Sequence, residues 1–134
     1  MQKAGRAVEE ALLFSGGAKD RKQAVKKRDE LFELVRLPLS LAERRPSALS
    51  GGQAQRVAIA RALALSPEVL IADEATAMLD VTSQAQIVRL LTELNRDRGL
   101  SLIFISHDAD LLDIAADRIL TLKDGALLPS DRED

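Results

Sequence analysis

The sequence predicts an α/β fold, in which a parallel sheet with flanking helices follows an N-terminal helical segment. Two apolar runs, VLIAD at 69–73 and LSLIFIS at 100–106, are typical of buried strands, and a segment with helical periodicity separates them. Strands that alternate with a helix favour a parallel sheet with right-handed crossovers. The charged helical pattern of the N-terminus ends near Pro46, and the first predicted strand follows Pro67. We expect a helical subdomain with its lead-in over residues 1–66 and an α/β portion over residues 67–134.

Two charged helices are predicted at the N-terminus. The first covers residues 3–14, and its apolar positions lie on one side: Val8, Leu12 and Leu13. A loop follows, and Asp20 is placed to cap a second helix that runs to about Leu37. The basic run from Arg21 to Arg28 is expected to be a solvated face of this second helix.

A third helix is predicted after two glycines in the stretch ALSGGQAQRVAIARAL, residues 48–63. Ser50 and Gln53 match a capping box, which gives this loop a purely structural explanation. Glycines, however, are poor helix formers, so Gly51 and Gly52 indicate a close approach to the backbone. Because a helix N-terminus attracts anions, the combination favours phosphate binding.

The remaining elements follow in alternation. Residues 82–98 are predicted to be a helix, with Gly99 where a C-terminal glycine cap belongs. Its apolar face is formed by Val88, Leu91 and Leu94. A strand at 100–106, a short helix at 109–116 and a hairpin over 118–128 complete the pattern. Before the helix at 82–98, Asp80 is one candidate N-cap, and Ser83 with Gln86 matches a second capping box.

Acidic residues and the single histidine follow the two predicted strands. Asp73 and Glu74 end the first strand, and Ser106, His107 and Asp108 end the second. Ligands of parallel sheets bind at the carboxyl ends of the strands, so we expect these side chains on one rim. The acids suit a hydrated Mg²⁺ ion and a base for water, and the histidine suits a phosphate oxygen. Capping of the next turn is the structural alternative for the acids.

Composition excludes several classes of function. A net charge of −2 and an aromatic content of 2% disfavour nucleic-acid binding, which needs a basic surface and stacking side chains. The chain has no cysteine, so disulfides and cysteine-based metal sites are excluded. It shows no signal peptide and no apolar run of the roughly 20 residues that would span a bilayer.

Several ordered motifs together resemble one family. Residues 49–53, LSGGQ, resemble the signature motif of ATP-binding cassette (ABC) ATPases. Residues 53–80 resemble that family's signature helix, Walker B strand and D-loop, and LIFISHD at 102–108 resembles its switch-histidine strand. The resemblance runs from about residue 20 to 128 and is nearest to the oligopeptide, dipeptide and nickel importer branch. It implies a partial P-loop NTPase fold.

The resemblance also implies a role for each matching position. Asp73 would hold Mg²⁺, Glu74 would polarise the attacking water, and His107 would contact the γ-phosphate of ATP. Asp80 would lie at the contact between two ATPase subunits. The signature residues would meet ATP held by the opposite subunit: Ser50, Gly51, Gly52 and Gln53. The sequence departs from the commonest pattern where Ala75 stands in place of proline and where Ala77-Met78 precede Leu79-Asp80.

The Walker A motif of this family, G-x-x-x-x-G-K-[ST], does not occur in the sequence. The nearest lookalike is SGGAKD at 15–20, in which Ala18 precedes Lys19 and Asp20 replaces the serine or threonine. The sequence therefore resembles the C-terminal half of an ABC ATPase. In related sheets the Walker A strand lies between the strand ending at His107 and the strand at 118–123. We expect an open gap there and association between copies.

Three functions are consistent with these features. The first is a part of the ATP-hydrolysing subunit of an ABC importer, with ATP and Mg²⁺ as cofactors. Its partners would be a second ABC ATPase subunit and transmembrane permease subunits, at the cytoplasmic face of the membrane, and the chain alone would be inactive. The second is a truncated, non-catalytic module that self-associates or binds a partner. The third, the head of a chromosome-maintenance or repair ATPase, is disfavoured because no sustained heptad pattern precedes residue 47.

Overall fold

The computed structural model describes residues 2–129. Three helices and two short 3-10 turns precede an alternation of strands and helices. The 3-10 turns cover Leu39–Glu43 and Pro46–Ala48. The other elements are α1 (Ala4–Phe14), α2 (Arg21–Leu34), α3 (Gly51–Leu63), β1 (Val69–Asp73), α4 (Val81–Arg98), β2 (Ser101–Ile105), α5 (Ala109–Ala115), β3 (Leu120–Lys123) and β4 (Ala126–Pro129).

Helices α1, α2 and α3 pack together and bury their apolar side chains. Asp20 caps α2 as predicted, since its carboxylate accepts a hydrogen bond from the Gln23 backbone N–H at 2.8 Å. Helix α2 ends at Leu34 rather than near Leu37, because Arg36 adopts φ 58° and turns the chain ahead of Pro38. The core of this region includes Val8, Leu12, Phe32, Val35 and Ala60.

The predicted solvated face of α2 is wrong at Arg28. Its side chain is 10% exposed and forms an ion pair with Glu9 of α1, whose side chain is equally buried. Arg28 also contacts Asp29 at 2.6 Å. Gly5 of α1 makes room for this arginine, since a Cβ at that position would lie 2.9 Å from the Arg28 Cδ atom. The basic run therefore contains a residue that joins α2 to α1.

Strands β1 and β2 pair in parallel, in the register Val69↔Ser101 to Asp73↔Ile105. Helix α4 connects them, and its predicted apolar face, together with Ile87 and Leu90, is buried. Gly99 closes α4 in the left-handed conformation, with φ 67°, as predicted.

The expectation of buried strands holds on one face of the sheet only. Successive side chains of a strand point to opposite faces. Leu70, Leu102 and Phe104 pack against the helical core, whereas Ile71 and Ile103 are exposed on the other face. Within residues 2–129, the helices cover one face of this sheet.

A hairpin follows as a second, separate sheet. Strands β3 and β4 pair antiparallel in the register Leu120↔Pro129 to Lys123↔Ala126. Asp124 and Gly125 form the turn with φ 49° and 79°, the positive values that a tight hairpin requires. Strands β2 and β3 do not pair with each other in the described part of the chain. The two strands that were expected to flank a gap are thus not joined to each other, and the gap itself stays a prediction.

Candidate functional site

The rim of the β1–β2 sheet brings together the residues that follow the two strands. Asp73 is the last residue of β1 and lies beside Ile105, the last residue of β2. The Glu74 backbone N–H then donates to the Ile105 carbonyl at 2.9 Å, and Glu74 itself adopts φ 49°. This turn directs the chain away from the sheet directly after Asp73.

Glu74 and His107 form a side-chain pair on this rim. The His107 Nδ1 atom lies 3.0 Å from the Glu74 Oε1 atom. The hydrogen bond that the imidazole makes to the Glu74 carboxylate, and after it the negative charge of Glu74, raise the pKa of His107 above its ordinary value. The imidazole remains 83% exposed, so it is accessible to a ligand from solvent. An accessible imidazole held by a carboxylate is suited to contact a phosphate oxygen or to exchange a proton with water.

Asp73 supplies one carboxylate at the edge of this pair. Among residues 2–129, no group of three or more His, Cys, Asp or Glu side chains converges as a metal cage would require. Mg²⁺ does not need such a cage, since it usually takes one or two carboxylates and completes its shell with water and phosphate oxygens. The exposed Asp73 carboxylate fits an ion of this kind that arrives with a nucleotide.

The two glycines of the opening loop begin helix α3. Ser50 Oγ accepts from the Gln53 N–H at 3.2 Å, and Gln53 Oε1 accepts from the Ser50 N–H at 3.0 Å, so the predicted capping box is present. A Cβ on Gly51 would lie 3.0 Å from Leu79 Cδ2, and one on Gly52 would lie 3.5 Å from Ser83. The loop thus packs against the segment that starts α4. The capping box occupies the Gln53 N–H, whereas the N–H groups of Gly51 and Gly52 have no intrahelical acceptor and remain suited to an anion.

Asp80 is the N-cap of α4. Its carboxylate accepts from the Ser83 backbone N–H at 2.9 Å and from the Ser83 hydroxyl at 2.8 Å. These bonds, the backbone one first, lower the pKa of Asp80. The alternative capping box of Ser83 and Gln86 is wrong, because Ser83 lies inside the helix and the Gln86 side chain accepts from Arg56 at 3.4 Å.

Two side chains that the sequence reading missed connect these parts. Arg56 of α3 donates to the Val35 carbonyl at 2.7 Å, which joins the signature helix to the end of α2. Burial lowers the pKa of Arg56. Gln84 of α4 donates to Asp108 at 3.1 Å, next to His107. Both contacts join elements that are distant in sequence. The local signal for Gln84 is its position four residues after Asp80, which places it in the first turn of α4.

No helix within residues 2–129 combines the length and the apolar character that a bilayer crossing requires.

Comparisons with known proteins identify the family of the chain. The family model described as ABC transporter matches residues 2–77. A putative peptide import ATP-binding protein of Brucella abortus is 48% identical over 124 residues, which are 92% of this chain and 37% of the relative. The oligopeptide transport ATP-binding protein OppF of Bacillus subtilis is 45% identical over 121 residues, 90% of this chain and 40% of that protein. The chain thus spans less than half the length of these relatives.

A methionine import ATP-binding protein, MetN of Francisella tularensis, is 49% identical over 107 residues, 79% of this chain and 30% of the relative. A solved structure is also similar: the dimeric, post-hydrolysis ATP-binding cassette MJ0796 bound to ADP and Pi. It matches with a TM-score of 0.81 and 36% identity, over 100% of this chain and 56% of that chain. The order of helices and strands described above is therefore that of an ATP-binding cassette over this part.

Proposed function

The chain belongs to the ABC transporter family, and on that premise we propose that it supplies the hydrolytic rim and the signature motif of an importer's ATPase subunit. The observation that carries the proposal is the Glu74–His107 pair, 3.0 Å apart at the carboxyl ends of two paired parallel strands. The printed names of relatives, which describe peptide, oligopeptide and methionine import, support the importer assignment.

Each rim residue receives a distinct role in this proposal. Glu74 is the base that accepts a proton from the attacking water, and His107 holds a phosphate oxygen while its Nδ1 atom remains on Glu74. Asp73 is the Mg²⁺ ligand. Bound Mg²⁺ and ATP would supply the polarised phosphate group and charge neutralisation. The ADP and Pi in the similar MJ0796 structure support a nucleotide as the ligand.

The signature loop faces a nucleotide held elsewhere in this proposal. Gly51 and Gly52 open α3, and these 134 residues contain no Walker A lysine of their own. We assign Ser50, Gly51, Gly52 and Gln53 to the phosphates of ATP bound by a second ATPase subunit. We assign Asp80 to the same contact, because its neighbour Leu79 lies against Gly51. The dimeric state of the similar MJ0796 structure supports this partner.

The larger assembly is inferred from the relatives. Their names describe import and transport, and on that basis we assign the chain to a complex with transmembrane permease subunits at the cytoplasmic face of the membrane. We keep the domain boundary near residue 66, where Ser66 adopts φ 51° between α3 and β1. Residues 1–66 then form the helical subdomain and residues 67–134 the portion that carries the rim.

The exposed strand face favours a second function for the 134 residues by themselves, that of a non-catalytic module which self-associates. Val69, Ile71, Ile103 and Ile105 are exposed large apolar side chains on β1 and β2. Exposed apolar strands recruit other chains. Light scattering over a concentration series tests this: copies that associate raise the mean mass with concentration, and a constant monomer mass contradicts it.

The hydrolytic role is tested in a chimeric cassette, in which this chain replaces the matching segment of Bacillus subtilis OppF. Glu74→Gln should lower ATP turnover by about 100-fold or more while ATP binding persists, because the amide keeps the shape but cannot accept the proton. Glu68→Gln is the matched control, since Glu68 precedes β1 at the opposite end of the strand. Wild-type turnover in the Glu74 variant contradicts the assignment, and a wild-type chimera that binds ATP without turnover favours the non-catalytic module.

A further inference from the structure

A side-chain hydrogen bond joins the start of helix α4 to the segment that carries His107. The Gln84 Nε2 atom donates to the Asp108 Oδ2 atom at 3.1 Å, and the two residues are 24 positions apart in the chain. Both side chains are half-buried. The bond therefore connects two rim segments that share no local sequence.

Asp108 has a second partner that keeps its carboxylate in place. Its Oδ1 atom accepts from the Leu111 N–H at 3.1 Å and so caps α5. The Asp108 N–H in turn donates to the Ser106 Oγ atom at 3.0 Å. The backbone of residues 106–108 is thus held by α5 and by α4, while the His107 ring is held from the other side by Glu74.

Gln84 also connects directly to Asp80. The Gln84 backbone N–H donates to the Asp80 carbonyl at 2.9 Å, in the first turn of α4. A contact path therefore runs from Asp80 through the backbone and side chain of Gln84 to Asp108, the residue after His107.

We infer that Gln84 is a positioning residue, which ties the Asp80 end of α4 to the His107 segment and so keeps the imidazole on Glu74. The inference rests on the proposed function, in which Asp80 meets a second subunit and His107 meets phosphate. In that setting, the arrival of the second subunit at residues 79–80 is transmitted to the histidine through one amide.

The test uses the 134-residue chain and the fact that it has one histidine. Diethyl pyrocarbonate modifies neutral imidazole, and the absorbance of the product measures the rate at His107 alone. The Glu74 contact slows the reaction at about pH 6, because it favours the protonated ring, which does not react. Glu74→Gln provides the fast reference. Gln84→Leu should increase the rate by about threefold, which is the effect expected when the one hydrogen bond from Gln84 that positions the His107 segment is lost.

Gln86→Leu is the matched control. It removes the same amide from the same helix, but the Gln86 side chain contacts Arg56 rather than residues 106–108. A rate equal to wild type is expected for this variant. Circular dichroism and the thermal midpoint of each variant identify any general loss of structure, which would accelerate the reaction of His107 whichever side chain had been replaced.

A reversed bond provides a second, independent arm. Gln84→Glu replaces the donor with a carboxylate that cannot donate to ionised Asp108, and the reaction should be faster than in Gln86→Glu, which adds the same charge to the same helix. In the double variant Gln84→Glu/Asp108→Asn, the new asparagine amide can donate to Glu and still cap Leu111, so the rate should return to that of Asp108→Asn alone. This arm also decides the matter if Gln84→Leu fails to fold.

The outcomes separate the two claims. If Glu74→Gln reacts rapidly while Gln84→Leu and Gln84→Glu keep the wild-type rate, the positioning role of Gln84 is overturned and the Glu74–His107 pair stands. If Glu74→Gln itself keeps the wild-type rate, the pair on which the proposed function depends is overturned. Acceleration in both Gln84 variants, with recovery in the double variant, supports the inference.

Discussion

The helical region and the strand region of this chain bury their apolar side chains to very different extents. In α1 to α3, Phe32 and Val35 are 0% exposed, and the surrounding helices enclose them on all sides. In the strands, Ile71 is 60% exposed and Leu122 is 71% exposed. The helical region thus lies within a core that it shares with α4 and with the inner face of the β1–β2 sheet, whereas each strand packs on one face at most. A rim built on such strands has its supporting layer on one side only.

This difference separates the signature loop, which local contacts fix, from the rim of the sheet, which depends on pairing between strands. Ser50 and Gln53 satisfy each other within α3, so the loop needs nothing beyond its own helix and the segment it touches. The Glu74–His107 pair depends on two neighbouring strands that keep their register. We therefore expect substitutions in the two regions to lower the free energy of unfolding by different amounts.

The largest effect is expected from a cavity in the helical core. Phe32→Ala should lower the free energy of unfolding by about 4 kcal/mol, since a fully buried aromatic side chain is removed. Ile71→Ala should cost under about 1 kcal/mol, because most of its side chain already contacts solvent. Urea denaturation of both variants measures the contrast. Equal losses would show that the strand face is covered, either by copies of the chain or by a different packing.

The buried ion pair of the helical region should rank next. Arg28→Met leaves the Glu9 carboxylate buried without its partner and should cost about 3 kcal/mol. Arg96→Met is the matched control in the other region, where the Arg96–Asp97 pair lies in solvent and its loss should change stability little. The same urea titrations apply. A Glu9→Gln substitution in the Arg28→Met background should recover part of the loss, and no recovery would argue against an uncompensated charge as its cause.

The smallest effect is expected from titration of the rim. Because the pKa of His107 is raised in the folded state, the protonated imidazole stabilises the fold fully below the unfolded pKa of histidine, as long as Glu74 stays ionised. That contribution is lost as the pH rises through the folded pKa. The difference in unfolding free energy between wild type and Glu74→Gln should therefore be larger at about pH 6 than at about pH 9. A difference that is equal at both pH values would contradict an ionic contact.

Local sequence signals predicted much of this fold. The run VLIAD matches β1 over Val69–Asp73, and the caps at Asp20, Ser50 and Gly99 lie where their residue types indicated. Such features depend on neighbours within a few residues. The shared rim of Glu74 and His107 was also predictable, because parallel strands end on one edge.

The features that sequence did not reveal depend on packing between distant segments. Arg28 lies in a basic run, and its burial follows from the space that Gly5 leaves in α1. The apolar strands gave no sign of which face the helices would cover. Asp80 and Ser83 were both plausible caps, and the geometry of the first turn decides for Asp80. The contact of Gln84 with Asp108 depends on α4 lying beside residues 106–108, which the sequence did not indicate.

The central claim is that these residues provide part of an ATP-hydrolysing site and depend on a second part for the rest. The most direct measurement compares phosphate release from ATP by the purified 134-residue chain and by the OppF chimera under the same conditions. We predict no steady release from the chain alone, because it contains no Walker A motif to hold the triphosphate, and steady release from the chimera. Steady turnover by the isolated chain that Glu74→Gln abolishes would contradict the account.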